Sequence, residues 1–153
     1  MTATMSRTCG APPDIHGWLQ RWYAMWNGEL DLAHELIAPQ LLMHLPKVGM
    51  PPPSAVHDAA TMSHWIGLFR SSYSHAHFAC ELGPFISENI LTARFRFTGT
   101  WMGGRPTSAT APPGTAVDFA GVDMLRFERG RVAEYWLTDD QLDLYAQVGA
   151  QAS

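Results

Sequence analysis

The stretch GVDMLRFERGRVAEYW, residues 121–136, carries the pattern that decides the fold of this chain of 153 residues. Apolar and polar side chains alternate on both sides of Arg129-Gly130, which predicts two antiparallel strands joined by a two-residue turn. On the first strand the alternation places Asp123 on the same face as Leu125, the face that carries most of the apolar side chains. The pattern therefore predicts a carboxylate on the buried face of a sheet.

The turn also predicts which residues face each other. If Glu128 pairs with Arg131, Asp123 lies opposite Trp136, and Glu134 shares their face. Burial raises the pKa of a carboxyl group, and a second acid at a diagonal distance of roughly 7–8 Å raises it further. A pKa near neutrality suits proton transfer, which makes Asp123 a candidate acid or base. Alternatively, Asp123 accepts hydrogen bonds from backbone or tryptophan N–H groups and only organises the core.

Helical periodicity dominates the first half of the chain. DIHGWLQRWYAMWNGELDLAHELIAP, from residue 14, predicts two helices, the first ending at Asn27-Gly28 and the second covering about 29–39. The short strand QLLMHLP and a proline-rich loop follow. A third helix is predicted after Ser54, a plausible N-cap.

After Tyr73 the period changes from about 3.6 to 2, which predicts strands. In HAHFACEL one face is expected to carry Ala76, Phe78, Cys80 and Leu82. LTARFRFTGTW alternates more regularly, with its arginines expected in a salt-bridge network on the outer face. A short amphipathic helix, DQLDLYAQVG, ends the pattern. Helices followed by an antiparallel meander predict an α+β domain whose curved sheet packs one face on the helices.

Composition narrows the classes of function. The net charge is −4 and the ten Lys and Arg residues are scattered, which argues against nucleic acid and anionic membranes as partners. Two cysteines are too few for a disulfide framework, so a reducing cytoplasm is expected. No signal peptide or apolar stretch of about 18 residues is visible. We expect residues 1–13 to be disordered and residues 14–149 to form one domain.

Aromatic residues are abundant, with six tryptophans in the chain. One by one they are expected in the core, but together they suit a cavity for a flat, oxygen-bearing molecule. The residues predicted to form this cavity, beside Asp123 and Glu134, are Tyr23, Trp26, Trp65, Phe69, Phe97, Trp101 and Trp136. The seven histidines show no spacing typical of metal ligands, so no metal site is predicted.

Several segments resemble the SnoaL-like polyketide cyclase group of the NTF2-like superfamily, from about residue 14 to 149. They are HGWLQRWYAMWNGELDLAHELIAPQLLMH, FTGTWMGG, the hairpin and DDQLDLYAQVG. The most specific part is the hairpin with the pattern W-x-x-x-D-x-x-x-L-x-x-Q-x-G that starts at Trp136. The resemblance implies a cone-shaped α+β barrel, in which three N-terminal helices pack on a strongly bent, mostly antiparallel sheet around a deep apolar pocket. It also implies a homodimer formed through the outer face of the sheet.

The same resemblance implies a reaction. Asp123 matches the acid that moves a proton in an intramolecular aldol ring closure without metal or cofactor. His44 matches a histidine often found on the first strand of these proteins; periodicity does not say which face it takes, but facing inward it could polarise the substrate oxygen. Trp101 stands where many relatives have a histidine, and is expected to form a large apolar wall.

The implied ligand is a small apolar or aromatic molecule that contains a carbonyl group. A cyclase or isomerase is the first hypothesis. An epoxide hydrolase or dehydratase using Asp123 in the same pocket is an alternative, although no arginine clearly shares its face. A non-catalytic protein that binds a small apolar ligand is the third possibility, and Trp101 in place of the histidine is the feature that favours it.

Overall fold

Most helical residues come before Tyr73 and most strand residues after it in the computed structural model, which describes residues 10–152. The helices and strands, in chain order, are α1 (Ile15–Trp26), α2 (Ala33–Leu36), β1 (Ile37–His44), α3 (Ala59–Arg70), β2 (Tyr73–Ser87), β3 (Ile90–Trp101), β4 (Thr115–Glu128), β5 (Arg131–Asp139) and α4 (Gln141–Val148). Short 3-10 turns cover Leu30–Leu32 and Pro53–Ala55. In the described part of the chain, no helix is long and apolar enough to span a bilayer.

The five strands form one curled sheet in the order β1-β5-β4-β3-β2. Neighbouring strands from β2 to β5 are antiparallel, whereas β1 runs parallel to β5. The sheet is therefore mixed, with its parallel pair at one edge. The helices cover its inner face, so the predicted α+β class is confirmed.

Helix α1 supplies much of the core. Asp14 caps it by accepting a hydrogen bond from the N–H of Gly17 at 3.0 Å. Half of its twelve residues are buried, which fits the predicted apolar stripe: Trp18, Leu19, Trp22, Tyr23, Met25 and Trp26. After its last turn, the side chain of Asn27 bonds both the carbonyl and the N–H of Phe78, at 2.9 and 2.7 Å. This double contact fixes the end of α1 against β2.

Two predicted helix boundaries were wrong. The second helix ends at Leu36 and not near residue 39, because the chain turns extended at Ile37. Pro39 then lies inside β1, an edge strand, where a missing N–H is tolerated. The third helix begins at Ala59, because Asp58 and Thr61 exchange the hydrogen bonds of a capping box.

Alternation also failed along the second half of β2. Phe78 is buried as predicted, but Cys80 is exposed and the side chain of Leu82 is 57% exposed. The pairing of β2 with β3 shifts register between Cys80 and Leu82 and again before Phe85. Each shift breaks the period of two, so the faces inferred from sequence no longer apply there.

At the N-terminus, residues 1–9 lie outside the described part of the chain, and so does most of the segment predicted to be disordered. The chain is described from Gly10, whose carbonyl accepts a hydrogen bond from the N–H of Gly130 at 2.8 Å. This bond places the start of the described chain beside the β4–β5 turn.

The outer face of β3 and β4 carries the predicted ion pairs. Arg96 bonds Glu81 at 3.0 Å and Asp118 at 2.9 Å, and Arg94 lies 3.7 Å from Glu81. Arg126 pairs with Glu128 at 2.8 Å. Exposed pairs of this kind contribute about 0–1 kcal/mol each, so they affect stability little.

Candidate active site

The buried face of β4 is the one that alternation predicted. Every second residue is buried, from Val117 through Phe127, and Asp123 lies among them at 2% exposure. Gly121 precedes Asp123 on this face, where a Cβ atom would overlap the ring of Phe95. Strand β4 therefore presents a carboxylate inside a closely packed apolar layer.

The hairpin turn has the predicted geometry. Arg129 and Gly130 both have positive φ, and Glu128 pairs with Arg131 across the turn. A two-residue turn of this kind matches the twist of the two strands. The register is therefore fixed at the turn itself.

One residue beyond the turn, the predicted register was wrong. Phe127 pairs with Val132, but Arg126 pairs with Glu134, so Ala133 is an extra residue without a partner. This β-bulge turns the rest of β5 over by one position. As a result Asp123 faces Leu137 instead of Trp136.

The corrected register places Tyr135 on the inner face, opposite Leu125 and 1% exposed. Glu134 and Trp136, both predicted to share the face of Asp123, point to the other side of the sheet. Because of the bulge, the predicted cavity residues Glu134 and Trp136 lie on the outer face. Tyr135, which alternation had placed on the outer face, lies on the inner face.

His44 lies on the outer face as well, because β1 pairs with β5 with His44 opposite Trp136. Its imidazole ring stacks on the indole of Trp136 at a centroid distance of 5.0 Å, and its Nε2 lies 2.7 Å from Glu134. Arg126 donates to the other oxygen of Glu134 at 2.9 Å. The hydrogen bond with His44 lowers the pKa of Glu134, and the hydrogen bond and charge of Arg126 lower it further. The sheet therefore separates His44, Glu134 and Trp136 from Asp123.

Asp123 accepts two hydrogen bonds from buried side chains. The hydroxyl of Tyr135 donates to Oδ1, and the indole N–H of Trp22 donates to Oδ2 at 3.2 Å. Burial nevertheless raises the pKa of Asp123 to about 7, because desolvation outweighs both bonds, and the charge of Asp139 adds to the rise. The sequence left open a structural role in which a tryptophan N–H group binds Asp123, and Trp22 does make this hydrogen bond. The carboxyl group can nevertheless change its charge near neutral pH.

Asp139 is a second acid of this site, and sequence reasoning missed it. It ends β5 opposite Gly121, diagonal to Asp123 on the inner face. Burial raises the pKa of Asp139 to about 6, against the hydrogen bond that Gln141 donates to its Oδ2 at 2.9 Å. In the register without a bulge, Asp139 falls on the outer face, which is why alternation did not reveal it. The neighbouring acid expected from Glu134 is in fact Asp139.

A cavity of about 660 Å³ lies against both acids, within the usual range for small-molecule sites. Four of the predicted aromatic residues line it, together with the two acids: Tyr23, Trp26, Trp65 and Phe69. Helix α4 and the loop after β3 form other parts of the wall. Aromatic residues thus form one part of the wall, and polar residues line much of the rest, among them Lys47, Arg105 and the two acids on the side formed by the sheet.

Phe97 and Trp101, also predicted to line the cavity, lie outside its lining. Phe97 is fully buried behind Phe69, with the two ring centroids 5.2 Å apart. The indole N–H of Trp101 donates to the carbonyl of Arg105 at 2.9 Å, while the backbone N–H of Arg105 donates to Ser72 at 3.2 Å. Trp101 therefore supports the loop of residues 102–108, part of which lines the cavity, and forms no wall itself.

Unpartnered polar atoms concentrate around this cavity. Among the described residues, four buried side-chain nitrogen or oxygen atoms lack a hydrogen-bond partner: Trp18 Nε1, Tyr23 Oη, Trp26 Nε1 and Asp139 Oδ1. All but Trp18 belong to residues that line the cavity. Buried polar groups are normally paired, so these atoms, which have almost no accessible surface, are exceptions within the wall of the cavity.

Acid–base chemistry is what this arrangement can perform. A carboxyl group with a pKa of about 7 is close to evenly divided between its two protonation states at neutral pH, so it can both take and return a proton. Within residues 10–152, no three His, Cys, Asp or Glu side chains lie close enough together to hold a metal ion.

A curled mixed sheet that packs against helices around a cavity is typical of the NTF2-like superfamily. The model of the family described as SnoaL-like polyketide cyclase matches residues 17–148. The chain belongs to this family, as the hairpin and the C-terminal pattern predicted.

Solved structures share the fold. TsrD from Streptomyces laurentii is similar with a TM-score of 0.73 at 19% identity, covering 90% of this chain and 96% of the other. IdmH from Streptomyces antibioticus has a TM-score of 0.71 at 21% identity, covering 88% and 98%. A SnoaL-like polyketide cyclase from Agrobacterium tumefaciens has a TM-score of 0.66 at 14% identity, covering 88% and 97%. No curated protein matches the chain in sequence.

Proposed function

We propose that the protein is an acid–base enzyme that closes a ring in an apolar, polyketide-like carbonyl compound. The observation that carries this proposal is the carboxyl group of Asp123, which is buried against a cavity and has a pKa raised to about 7. The family supports a cyclase as the class of enzyme. The aromatic part of the lining, which includes Tyr23, Trp26, Trp65 and Phe69, supports a flat, apolar ring system in the substrate.

In the proposed reaction, ionised Asp123 takes a proton from a carbon next to a carbonyl group. The resulting enolate carbon attacks a second carbonyl carbon of the same molecule, which forms the new carbon–carbon bond and an alkoxide. The carboxylic acid then returns its proton to the alkoxide, so the reaction is complete without an oxidant or reductant. Tyr135 and Trp22 hold the carboxyl group in place through both of its oxygens.

The alternatives find less support. Hydrolysis of an epoxide was expected to need an arginine beside the acid, and both hydrogen bonds of Asp123 come instead from Tyr135 and Trp22. A non-catalytic binding role was favoured by Trp101 as a cavity wall, but Trp101 lies behind the cavity. Proton transfer by Asp123 therefore remains the proposal that the geometry supports best.

The test measures proton transfer without requiring the natural substrate. Ethyl benzoylacetate, an aromatic β-keto ester, is incubated with the protein in deuterated water, and exchange at its acidic carbon is followed by NMR. Asp123→Asn keeps the shape of the side chain and is expected to lower the catalysed rate by about a thousandfold. Asp118→Asn makes the same change at an exposed position of β4 and is expected to leave the rate unchanged. Equal rates in both variants would contradict the proposal.

We also propose a homodimer formed through the outer face of the sheet. Two apolar side chains are exposed there, Leu42 at 56% and Met124 at 40%, on either side of β5. Exposed apolar side chains on a sheet face fit a contact between copies. Light scattering coupled to gel filtration is expected to give twice the chain mass for the native protein and the chain mass for Met124→Glu. A native protein that elutes with the mass of one chain would contradict the proposal.

A further inference from the structure

Two cations line the cavity on loops that leave the same edge of the sheet. Strands β1, β3 and β5 run in one direction, because β1 is parallel to β5 and β4 is antiparallel to both β3 and β5. The C-terminal ends of these three strands therefore lie at one edge. Lys47 follows the end of β1 and Arg105 follows the end of β3, and both residues line the cavity.

Helix α4 joins the two loops. A Cβ atom on Gly49 would lie 2.9 Å from the hydroxyl oxygen of Tyr145, so the loop after β1 packs on this helix. The loop after β3 packs on its last turn, where the N–H of Thr110 donates to the carbonyl of Val148 at 3.0 Å. Tyr145 and Val148 are separated by roughly 5 Å along the helix axis. The two loops therefore border the same part of the cavity.

The charges of the cavity lining are separated by sign. The exposed residues of the lining belong mainly to the two loops and form what we call the mouth of the cavity: Lys47, Gly49, Arg105, Thr107 and Ser108. The acids lie on the strands, where Asp123 is 2% exposed and Asp139 is partly buried. The cavity therefore has its cations at the mouth and its carboxyl groups against the sheet.

The protein does not neutralise the cations at the mouth. Among residues 10–152, neither Lys47 nor Arg105 forms an ion pair. On the outer face of the sheet, by contrast, Arg94, Arg96 and Arg126 each pair with a carboxylate. A chain with a net charge of −4 thus keeps two unpaired positive charges beside its cavity.

The size of the cavity allows both charges to act on one ligand. A sphere with the cavity volume of 660 Å³ has a diameter of about 11 Å, and the Debye length at physiological ionic strength is about 8 Å. Salt therefore screens a charge at the mouth only in part from a ligand that fills the cavity.

We infer that Lys47 and Arg105 bind a carboxylate of the substrate at the mouth, so that the substrate is a keto acid whose apolar body reaches Asp123. This inference rests on the proposed function, since it takes the cavity as the substrate site and narrows the class of substrate. A guanidinium group can bind a carboxylate through two parallel hydrogen bonds, and an ammonium group adds a mobile positive charge. The mouth also keeps the carboxylate away from the negative charge that Asp123 carries when it acts as a base.

The experiment compares two probes that differ in charge and hardly in shape. 2-Naphthoate carries a carboxylate on a flat aromatic body, and 2-naphthamide carries a neutral amide in its place. Neither probe has an acidic proton on a carbon next to its carbonyl group, so calorimetric titration at pH 7 measures binding alone. At an ionic strength of about 0.01 M, the wild-type protein is expected to bind naphthoate about tenfold more tightly than naphthamide. At about 1 M salt, this preference is expected to fall below about twofold because the charges are screened.

Substitution of each cation tests its own contribution. Lys47→Gln and Arg105→Gln are each expected to weaken naphthoate binding by about threefold to tenfold and naphthamide binding by less than about twofold. Arg131→Gln is the matched control. Arg131 is also exposed and without an ion pair among the described residues, but it lies at the hairpin turn, outside the cavity lining. This control is expected to leave both affinities unchanged.

Three results would overturn the inference. The first is naphthoate that fails to bind the wild-type protein more tightly than naphthamide. The second is a naphthoate affinity that stays the same in Lys47→Gln and Arg105→Gln. The third is an equal loss in Arg131→Gln, which would mean that only the net charge of the protein matters. Because no turnover is measured, absent deuterium exchange would end the proposed function without affecting this result, and normal exchange without a preference for naphthoate would end the inference alone.

Discussion

Asp123 and Glu134 belong to the same hairpin, eleven positions apart, and lie on opposite faces of one sheet. Asp123 is held by Tyr135 and Trp22 in an apolar layer, and burial raises its pKa to about 7. Glu134 lies in water-accessible surroundings between His44 and Arg126, whose hydrogen bonds lower its pKa. The same functional group is therefore tuned in opposite directions by the face on which it lies. The unpaired residue Ala133 decides which acid takes which face.

The largest difference between the two acids is expected in the pH dependence of stability. The pKa of Asp123 rises from 3.8 to about 7 on folding, so the folded state binds more protons between these values. The free energy of unfolding should therefore fall as the pH rises from about 4 to about 7, by up to about 4 kcal/mol. Urea titrations should show the slope between about pH 6 and 7 disappearing in Asp123→Asn, whereas below pH 6 about half of the slope should remain, because the pKa of Asp139 is also raised, to about 6.

Glu134 should behave in the opposite way. The pKa of Glu134 is lower in the folded state than in the unfolded state, so Glu134 stabilises the folded protein at pH values above its unfolded-state pKa. This contribution is lost as the pH falls through its folded-state pKa. Glu134→Gln should thus leave the slope between about pH 5 and 7 intact. If the dependence of the unfolding free energy on pH remained in Asp123→Asn but vanished in Glu134→Gln, Glu134 and not Asp123 would be the acid with the raised pKa.

A smaller effect is expected from removing one partner of each acid. Tyr135→Phe deletes a hydrogen bond that lowers the pKa of Asp123, so the pKa rises and the rate of deuterium exchange should reach its plateau about one pH unit higher. His44→Ala removes the corresponding partner of Glu134 and should leave the pH–rate profile in place. The measurement is the exchange rate of ethyl benzoylacetate as a function of pH in the three proteins. A profile that moves in His44→Ala would place His44 in the reaction after all.

The smallest effect is expected for stability on the outer face. His44→Ala removes a half-exposed hydrogen bond and a ring stacked on Trp136, which should lower the free energy of unfolding by about 1 kcal/mol at most. Thermal unfolding of His44→Ala beside the wild-type protein checks this at pH 7. A loss of stability several times larger would show that the contacts of His44 with Glu134 and Trp136 contribute substantially to the stability of the fold.

Alternation was sufficient to place Asp123, because β3 and β4 pair in unbroken register along the strand that carries it. It could not place Tyr135 and Asp139, because their face depends on an extra residue. Val132 and Ala133 are both apolar and buried, so nothing in the pattern shows which of them is unpaired. Sequence periodicity shows which residues share a face of a strand. A bulge moves all later residues of the strand to the opposite face, and the residue types alone do not reveal it.

The cavity could be predicted only in part for a related reason. Tyr23, Trp26, Trp65 and Phe69 line it, whereas Phe97 and Trp101 are buried behind it. All six are apolar residues on inward faces, and period alone does not distinguish a side chain that meets a cavity from one that meets another side chain. The fold was predictable because the hairpin and the C-terminal pattern carry family-specific residues at fixed spacing.

The unpaired Ala133 has a consequence for how this hairpin tolerates mutation. A substitution in β5 alters one side chain, but the loss or gain of a single residue beside the turn would turn the whole strand over. Tyr135 and Asp139 would then move to the solvent, and Glu134 and Trp136 would enter the core. In this segment the number of residues is therefore under stricter constraint than the identity of most of them, and deletion variants should be far more damaging than substitutions at the same positions.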